Sequence, residues 1–184
     1  MSTGMRMPWA DAAALAKRLS DDLAPVVERS KVVGSVRRRK PTVGDIEFLI
    51  EPRHVTADLF GATKPDTDAI HAVARTWGEI VKGGERMVQV TGVGEAGATV
   101  DLYLVHPPAN WWCLMAIRTG PARLGHMAMV RMRDRGFRHE SGRILRRDGS
   151  EHPVESEADF FACAGLRCLP PHERTPEAAI GGGA

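Results

Sequence analysis

The sequence predicts an α+β chain: a mixed β-sheet with flanking helices, followed by a smaller α+β segment. Three observations predict it. Apolar residues recur at helical spacing before Val27, and β-rich apolar runs alternate with helical stretches as far as Val105. Gly and Pro then punctuate the chain at Thr119-Gly120-Pro121, ahead of another helical stretch and short β-like pieces. With 184 residues, 43% hydrophobic and 26% charged, the chain can build a packed core in one domain or two small ones.

The elements follow in order. Ala13, Leu15, Leu19, Leu23, Val26 and Val27 predict a helix from Trp9 toward Arg29, kinked or cut short by Pro25. Val32-Val33 leads into a Gly34-Ser35 turn. Residues 46–50 are apolar and β-rich, a strand closed by Glu51-Pro52. Residues 53–65, with Gly61 and Pro65, read as a loop. Asp66 or Thr67 caps a helix expected to reach Lys82, where Gly83-Gly84 stops it. Residues 87–91 and 99–105 form a hairpin over the turn at 92–97, and Pro107-Pro108 ends the pair. Residues 111–117 are a buried segment, with Trp111 and Trp112, like Trp77, expected in the core. A helix over 122–135 stops at Gly136. Residues 137–153 alternate β-like pieces with turns such as Asp148-Gly149, and 157–164 is a short helix. Pro170-Pro171 and the tail at 181–183 are irregular, the tail disordered. The Gly-Pro punctuation sets the expected division at 1–118 and 119–184.

Composition excludes several classes. No apolar run approaches the roughly 18 residues of a membrane span. Residues 1–8 carry no signal-peptide pattern. Cys113, Cys163 and Cys168 are odd in number and have no metal-ligand spacing, as expected of reduced thiols in the cytoplasm. The histidines are scattered and no H-E-x-x-H is present, so no zinc site is expected. Net charge is only +2, yet residues 29–40 and 118–147 concentrate basic side chains, which suits a polyanionic partner.

The chemistry-bearing residues lie at the first strands. Asp45 and Glu47 are two apart at the start of a strand, so both carboxylates leave one face while Ile46 and Phe48 enter the core. In residues 99–105, Val100, Leu102 and Leu104 share a face and Asp101 lies on the other. An acid in so apolar a strand needs a partner or a cation. Three carboxylates on adjacent strands suit Mg²⁺, and two such ions would clamp an in-line phosphoryl transfer. Asp101 could also assist deprotonation of the attacking hydroxyl. Upstream, Gly34 lets backbone approach a phosphate, Ser35 supplies a hydroxyl donor, and Arg38 can stabilise triphosphate charge. Gly44 would admit phosphate oxygens beside Asp45.

These residues resemble the family X DNA polymerases, the polymerase beta type. Gly34-Ser35-Val36-Arg37-Arg38 and Gly44-Asp45-Ile46-Glu47 are similar to that family's G-S-x-R-R … G-D-x-D signature at equal spacing. Val100-Asp101-Leu102-Tyr103-Leu104 resembles its third-carboxylate strand. The run from Trp111-Trp112-Cys113 to Thr119-Gly120 resembles the segment ending in its Tyr-Phe-Thr-Gly turn. Arg135-Gly136-Phe137, residues 154–161 and the Leu169-to-Arg174 close resemble its C-terminal subdomain. The resemblance covers residues 10–177. It implies a nucleotidyltransferase palm over 1–118, then a thumb- or fingers-like nucleotide-selecting subdomain over 119–184.

The implied activity is DNA-directed DNA synthesis: dNMP added from a dNTP to a primer 3′-hydroxyl, in short-gap repair or in phage or mobile-element DNA metabolism. Asp45, Glu47 and Asp101 would be catalytic and hold two Mg²⁺ ions, with Mn²⁺ able to substitute. Gly34, Ser35, Arg38, Gly44, Ile117, Arg118, Thr119 and Gly120 would bind the nucleotide. The expected partners are gapped or primer–template DNA and dNTP, with no membrane, and the chain is expected to be a cytoplasmic monomer. Four departures stand out: Glu47 replaces an Asp, Ile117-Arg118 replaces the Tyr-Phe pair, Thr99 replaces the Arg beside the third carboxylate, and template-facing positions fall on Ala122, Gly125, His126 and Met129. They imply low fidelity and weak sugar discrimination. The alternative is template-independent transfer, or transfer to an RNA end, a protein or a small molecule.

Overall fold

The computed structural model describes residues 6–57 and 60–181. Packing divides the chain into two units: one runs to His106 but leaves out Arg37–Arg39, and the other takes Arg37–Arg39 together with everything from Pro107 onward. The expected boundary at 118/119 therefore moves one helix earlier. The helix before Thr119 places Cys113 and Ala116 in the second unit's core, so the break falls at Pro107-Pro108.

The first unit contains β1 (Met7–Pro8), α1 (Trp9–Leu23), β2 (Val27–Val32), β3 (Thr42–Val43), β4 (Asp45–Pro52), β5 (His54–Thr56), β6 (Thr63–Pro65), α3 (Thr67–Trp77), β7 (Glu79–Gly83), β8 (Met87–Val93) and β9 (Ala98–Leu104); the short α2 (Gly34–Arg37) ends in the residues that leave it. Five strands form a sheet in the order β2-β4-β9-β8-β7. Only β4 and β9 pair in parallel, joined through α3, β7 and β8, so the sheet is mixed as expected. Strand alternation sends Ile46, Phe48, Ile50, Val100, Leu102 and Leu104 into one core. Helix α1 covers that core with Ala12, Leu15, Ala16, Leu19 and Leu23, a stripe at helical spacing. Each large apolar side chain buried there contributes about 1.5–3 kcal/mol.

The differences from expectation have local causes. Helix α1 ends at Leu23, because a helix interior does not admit Pro25, and Val27 then opens a strand. Asp66 caps α3, as expected, by accepting from the Ala69 amide. That helix stops at Trp77 rather than Lys82: any Cβ at Gly78 would stand 2.2 Å from the Thr91 carbonyl, so the chain closes on β8 there and continues as β7. The expected loop at 53–65 contains a hairpin of β5 and β6.

The second unit contains α4 (Trp111–Thr119), α5 (Ala122–Asp134), β10 (Phe137–Glu140), β11 (Arg143–Arg146), β12 (Glu151–His152), α6 (Glu157–Cys163), a 3₁₀ turn (Pro171–Glu173) and α7 (Pro176–Ile180). The strands form one antiparallel sheet. Leu124, Ala128, Met132, Ile144, Phe160 and Phe161 form the centre of its core. Asn110 caps α4 by accepting from the Trp112 and Cys113 amides, and Ser156 caps α6 through the Asp159 amide. Helix α7, capped by Thr175, is regular structure where the sequence suggested none. The tail glycines Gly182 and Gly183 lie outside the described residues. As expected, Trp111 is buried, and Trp77 and Trp112 pack against the cores. No helix among the described residues is long and apolar enough to cross a membrane.

Burial makes the core thiols inert. Desolvation pushes the Cys113 thiol up to about 12 and raises those of Cys163 and Cys168, but of the three Cys168 alone is exposed. In the native protein at pH 7.5, a thiol reagent is expected to titrate one cysteine. All three should react in denaturant, and Cys168→Ser should remove the native signal. Native titration of two or more thiols would contradict this packing.

Candidate active site

Asp45 and Glu47 leave the same face of β4. On the parallel neighbour β9, Asp101 stands in register with Glu47 and Thr99 with Asp45. The three carboxylates therefore share one face of two adjacent strands, opposite the core. Asp45 and Glu47 are half-buried and Asp101 is buried. Gln89 of β8 is the antiparallel partner of Asp101, and its Nε2 donates to Asp101 Oδ1 at 2.7 Å. The Tyr103 hydroxyl donates more weakly to Oδ2 at 3.4 Å.

The turn before α2 closes on this face. The Val33 amide donates to the Glu47 carbonyl at 2.8 Å. Gly34 then adopts φ of +59°, and a Cβ there would lie 1.6 Å from Glu47 Oε2. Only a residue without a side chain lets the backbone pass so close to the carboxylate. The Ser35 hydroxyl oxygen is buried and finds no hydrogen-bond partner among the described residues. Such a donor ordinarily meets an acceptor, so a phosphate oxygen suits it. Gly44 leaves bare backbone beside Asp45: among the described residues apart from its chain neighbours, only the Arg6 guanidinium comes within 4 Å of a Cβ built there. Arg6 is itself held by two hydrogen bonds of 3.1 Å to Thr42. No spacing in the sequence pointed to Arg6 or Gln89, because each reaches the site only through strand pairing.

The donor set fits Mg²⁺ in kind, being hard carboxylate oxygens with room for phosphate. Among the described residues, no group of three or more His, Cys, Asp or Glu side chains is placed to hold a metal ion. Mg²⁺ does not require such a group, since it keeps waters and takes ligands from substrate phosphates.

The remaining expected residues belong to the second unit. Arg38 donates to the Thr119 carbonyl, and Arg37 donates to the Thr119 hydroxyl. Gly120 has φ of +68°, and a Cβ there would lie 2.9 Å from Arg38 Nη1. Ile117 packs against the core and Arg118 is exposed. Arg37 also grips Glu157 through paired contacts of 2.9 and 2.6 Å. Arg174, with only 2% of its side chain exposed, reaches the same carboxylate at 2.7 Å and lies over the Phe161 ring.

Burial pushes the Glu157 carboxyl up, but hydrogen bonds and charge from Arg37 and Arg174 outweigh it and hold it below the usual range. Its folded value being the lower one, its stabilisation is full above the ordinary Glu value of about 4.3 and is lost as pH falls through the folded value. Glu157→Gln is expected to cost about 2 kcal/mol near pH 7. The difference from the parent should shrink below about pH 4.3 in denaturant titrations. A difference independent of pH would contradict this pairing.

Neither a family model nor a curated protein matches the sequence. Among solved structures, the chain is similar to the crystal structure of Leishmania infantum polymerase beta in a ternary P/T complex, with a TM-score of 0.75 and 16% sequence identity over 94% of this chain and 77% of that one. The fold is like that of polymerase beta: a mixed sheet with flanking helices, then a small α+β unit.

Proposed function

We propose that this chain is a metal-dependent nucleotidyltransferase that adds dNMP from a dNTP to the 3′-hydroxyl of a DNA primer. The observation that carries this reading is the register of β4 and β9, which gathers Asp45, Glu47 and Asp101 on one face beside the bare backbone of Gly34. The likeness of fold to polymerase beta supports the same class. Asp45, Glu47 and Asp101 would hold two Mg²⁺ ions, or Mn²⁺. When bound, the ions neutralise charge at the transferring phosphoryl group and lower the pKa of the attacking hydroxyl. Asp101 would also assist removal of the primer hydroxyl proton. The Ser35 hydroxyl and the Gly34 and Gly44 backbone receive phosphate oxygens, and Arg6 adds positive charge next to Gly44. We extend the reading to Arg38, Ile117, Arg118, Thr119 and Gly120 as nucleotide contacts.

An aliphatic side chain at Ile117 offers no flat ring to pack on a sugar, so discrimination against ribonucleotides should be weak. The setting is short-gap repair or phage or mobile-element DNA metabolism, with the chain acting as a cytoplasmic monomer. Primer extension with Mg²⁺ or Mn²⁺ on gapped, recessed and unpaired primers tests the reading. Templated addition is the expected result. Addition only to unpaired ends would favour template-independent transfer. No addition to any DNA would overturn the DNA assignment and direct attention to RNA, protein or small-molecule acceptors.

A further inference from the structure

Resting on the nucleotidyl-transfer reading, we infer that Gln89 is a positioning residue for Asp101, holding that carboxylate in its working orientation with a neutral donor. The geometry is set by the backbone. Gln89 and Asp101 are direct cross-strand partners on β8 and β9, so their side chains leave the same face. The amide donates at 2.7 Å to Oδ1, and the Tyr103 hydroxyl at 3.4 Å to Oδ2. Each carboxylate oxygen has two lone pairs. One donor on each oxygen fixes the plane of the group and leaves a lone pair on each for a cation or a proton.

The identity of the donor matters. An amide has no net charge, so Asp101 keeps its full negative charge for a divalent ion. A Lys or Arg at position 89 would orient the group equally well, but would also neutralise it and compete with the ion. An apolar residue would leave Asp101 buried at 7% exposure with a weaker set of partners and freedom to rotate. The bond to Asp101 accounts for a half-buried Gln on β8 between Val88 and Val90, both fully buried.

The expected effect is on turnover and metal affinity, with little change in nucleotide binding. Gln89→Leu, similar in volume and without a donor, should lower kcat about 10- to 100-fold. KM for dNTP should change less than about threefold, and the thermal midpoint should stay near the parent's. Gln89→Glu, which sets two carboxylates against each other, should lower kcat at least as far. Gln89→Lys restores a donor with a charge, and should need more Mg²⁺ than the parent for half-maximal rate.

The chain holds a single tyrosine, so 3-fluorotyrosine labelling gives one ¹⁹F resonance, from Tyr103 beside Asp101. Titrating Mn²⁺ into labelled parent protein should broaden that resonance, and Gln89→Leu should need at least about fivefold more Mn²⁺. Broadening at the same Mn²⁺ concentration in parent and Gln89→Leu, with equal kcat, would overturn the role of Gln89 while leaving the metal site standing. No broadening in the parent would overturn the metal site itself, and this inference with it.

Discussion

Asp101→Ala is expected to abolish nucleotidyl transfer, lowering kcat by at least about a thousandfold, some 4 kcal/mol, while the fold persists. Asp101 lies at the centre of β9, in register with Glu47 and within hydrogen-bond reach of Gln89. If the proposed function holds, removing its carboxylate deletes a cation ligand and an acceptor for the primer proton together. The core face of the same strand, Val100 and Leu102, is untouched. The structural cost falls on the Gln89 amide, which loses its acceptor at about 1 kcal/mol, and on the more weakly bonded Tyr103 hydroxyl. Steady-state incorporation and a denaturant melt on the same preparation separate the two effects. Incorporation near the parent's rate in a folded variant would remove Asp101 from the chemistry.

Gly34→Ala should be the next most damaging change, through a different route. The added methyl would stand 1.6 Å from Glu47 Oε2, at a residue with φ of +59°. The left-handed conformation costs a non-glycine residue about 1–2 kcal/mol, and a denaturant melt should show a loss of that size. The steric conflict is met by the end of a flexible side chain, so the cheapest response is for the Glu47 carboxylate to move away. Transfer should therefore fall by about a hundredfold, more than the stability loss alone would produce. Equal losses of activity and folded fraction would mean that Gly34 serves the turn and has no part in placing Glu47.

Asp101 belongs to the portion of the site that a strand's period of two makes legible. Asp45, Glu47 and Asp101 could be assigned to one face because their apolar neighbours Ile46, Phe48, Val100 and Leu102 had to take the other. Their mutual register could not be read, because β4 and β9 meet only through the crossover of α3, β7 and β8. Gln89 was hidden for the same reason: its neighbour is twelve residues away along the chain and directly opposite across the sheet. The Arg37–Glu157 pair spans 120 residues and leaves no local spacing. Local chemistry also misled where two rules competed. Val26 and Val27 continue the helical period of α1, yet Pro25 and β-branched side chains decide for a strand at Val27. Gly83-Gly84 looked like the helix stop after Asp66, but Gly78, a less conspicuous single glycine, is where the chain meets the Thr91 carbonyl.

The proposed activity is metal-dependent transfer of a nucleotide at the carboxylate face of β4 and β9. Its most direct test follows α-labelled dNTP into a primer strand in the presence of Mg²⁺, for the parent, Asp45→Asn and Asp101→Asn, with chelator controls. The predicted result is covalent label on the primer with the parent alone, lost on chelation and restored by Mg²⁺ or Mn²⁺. Label that persists in either variant, or that survives chelation, would contradict the claim.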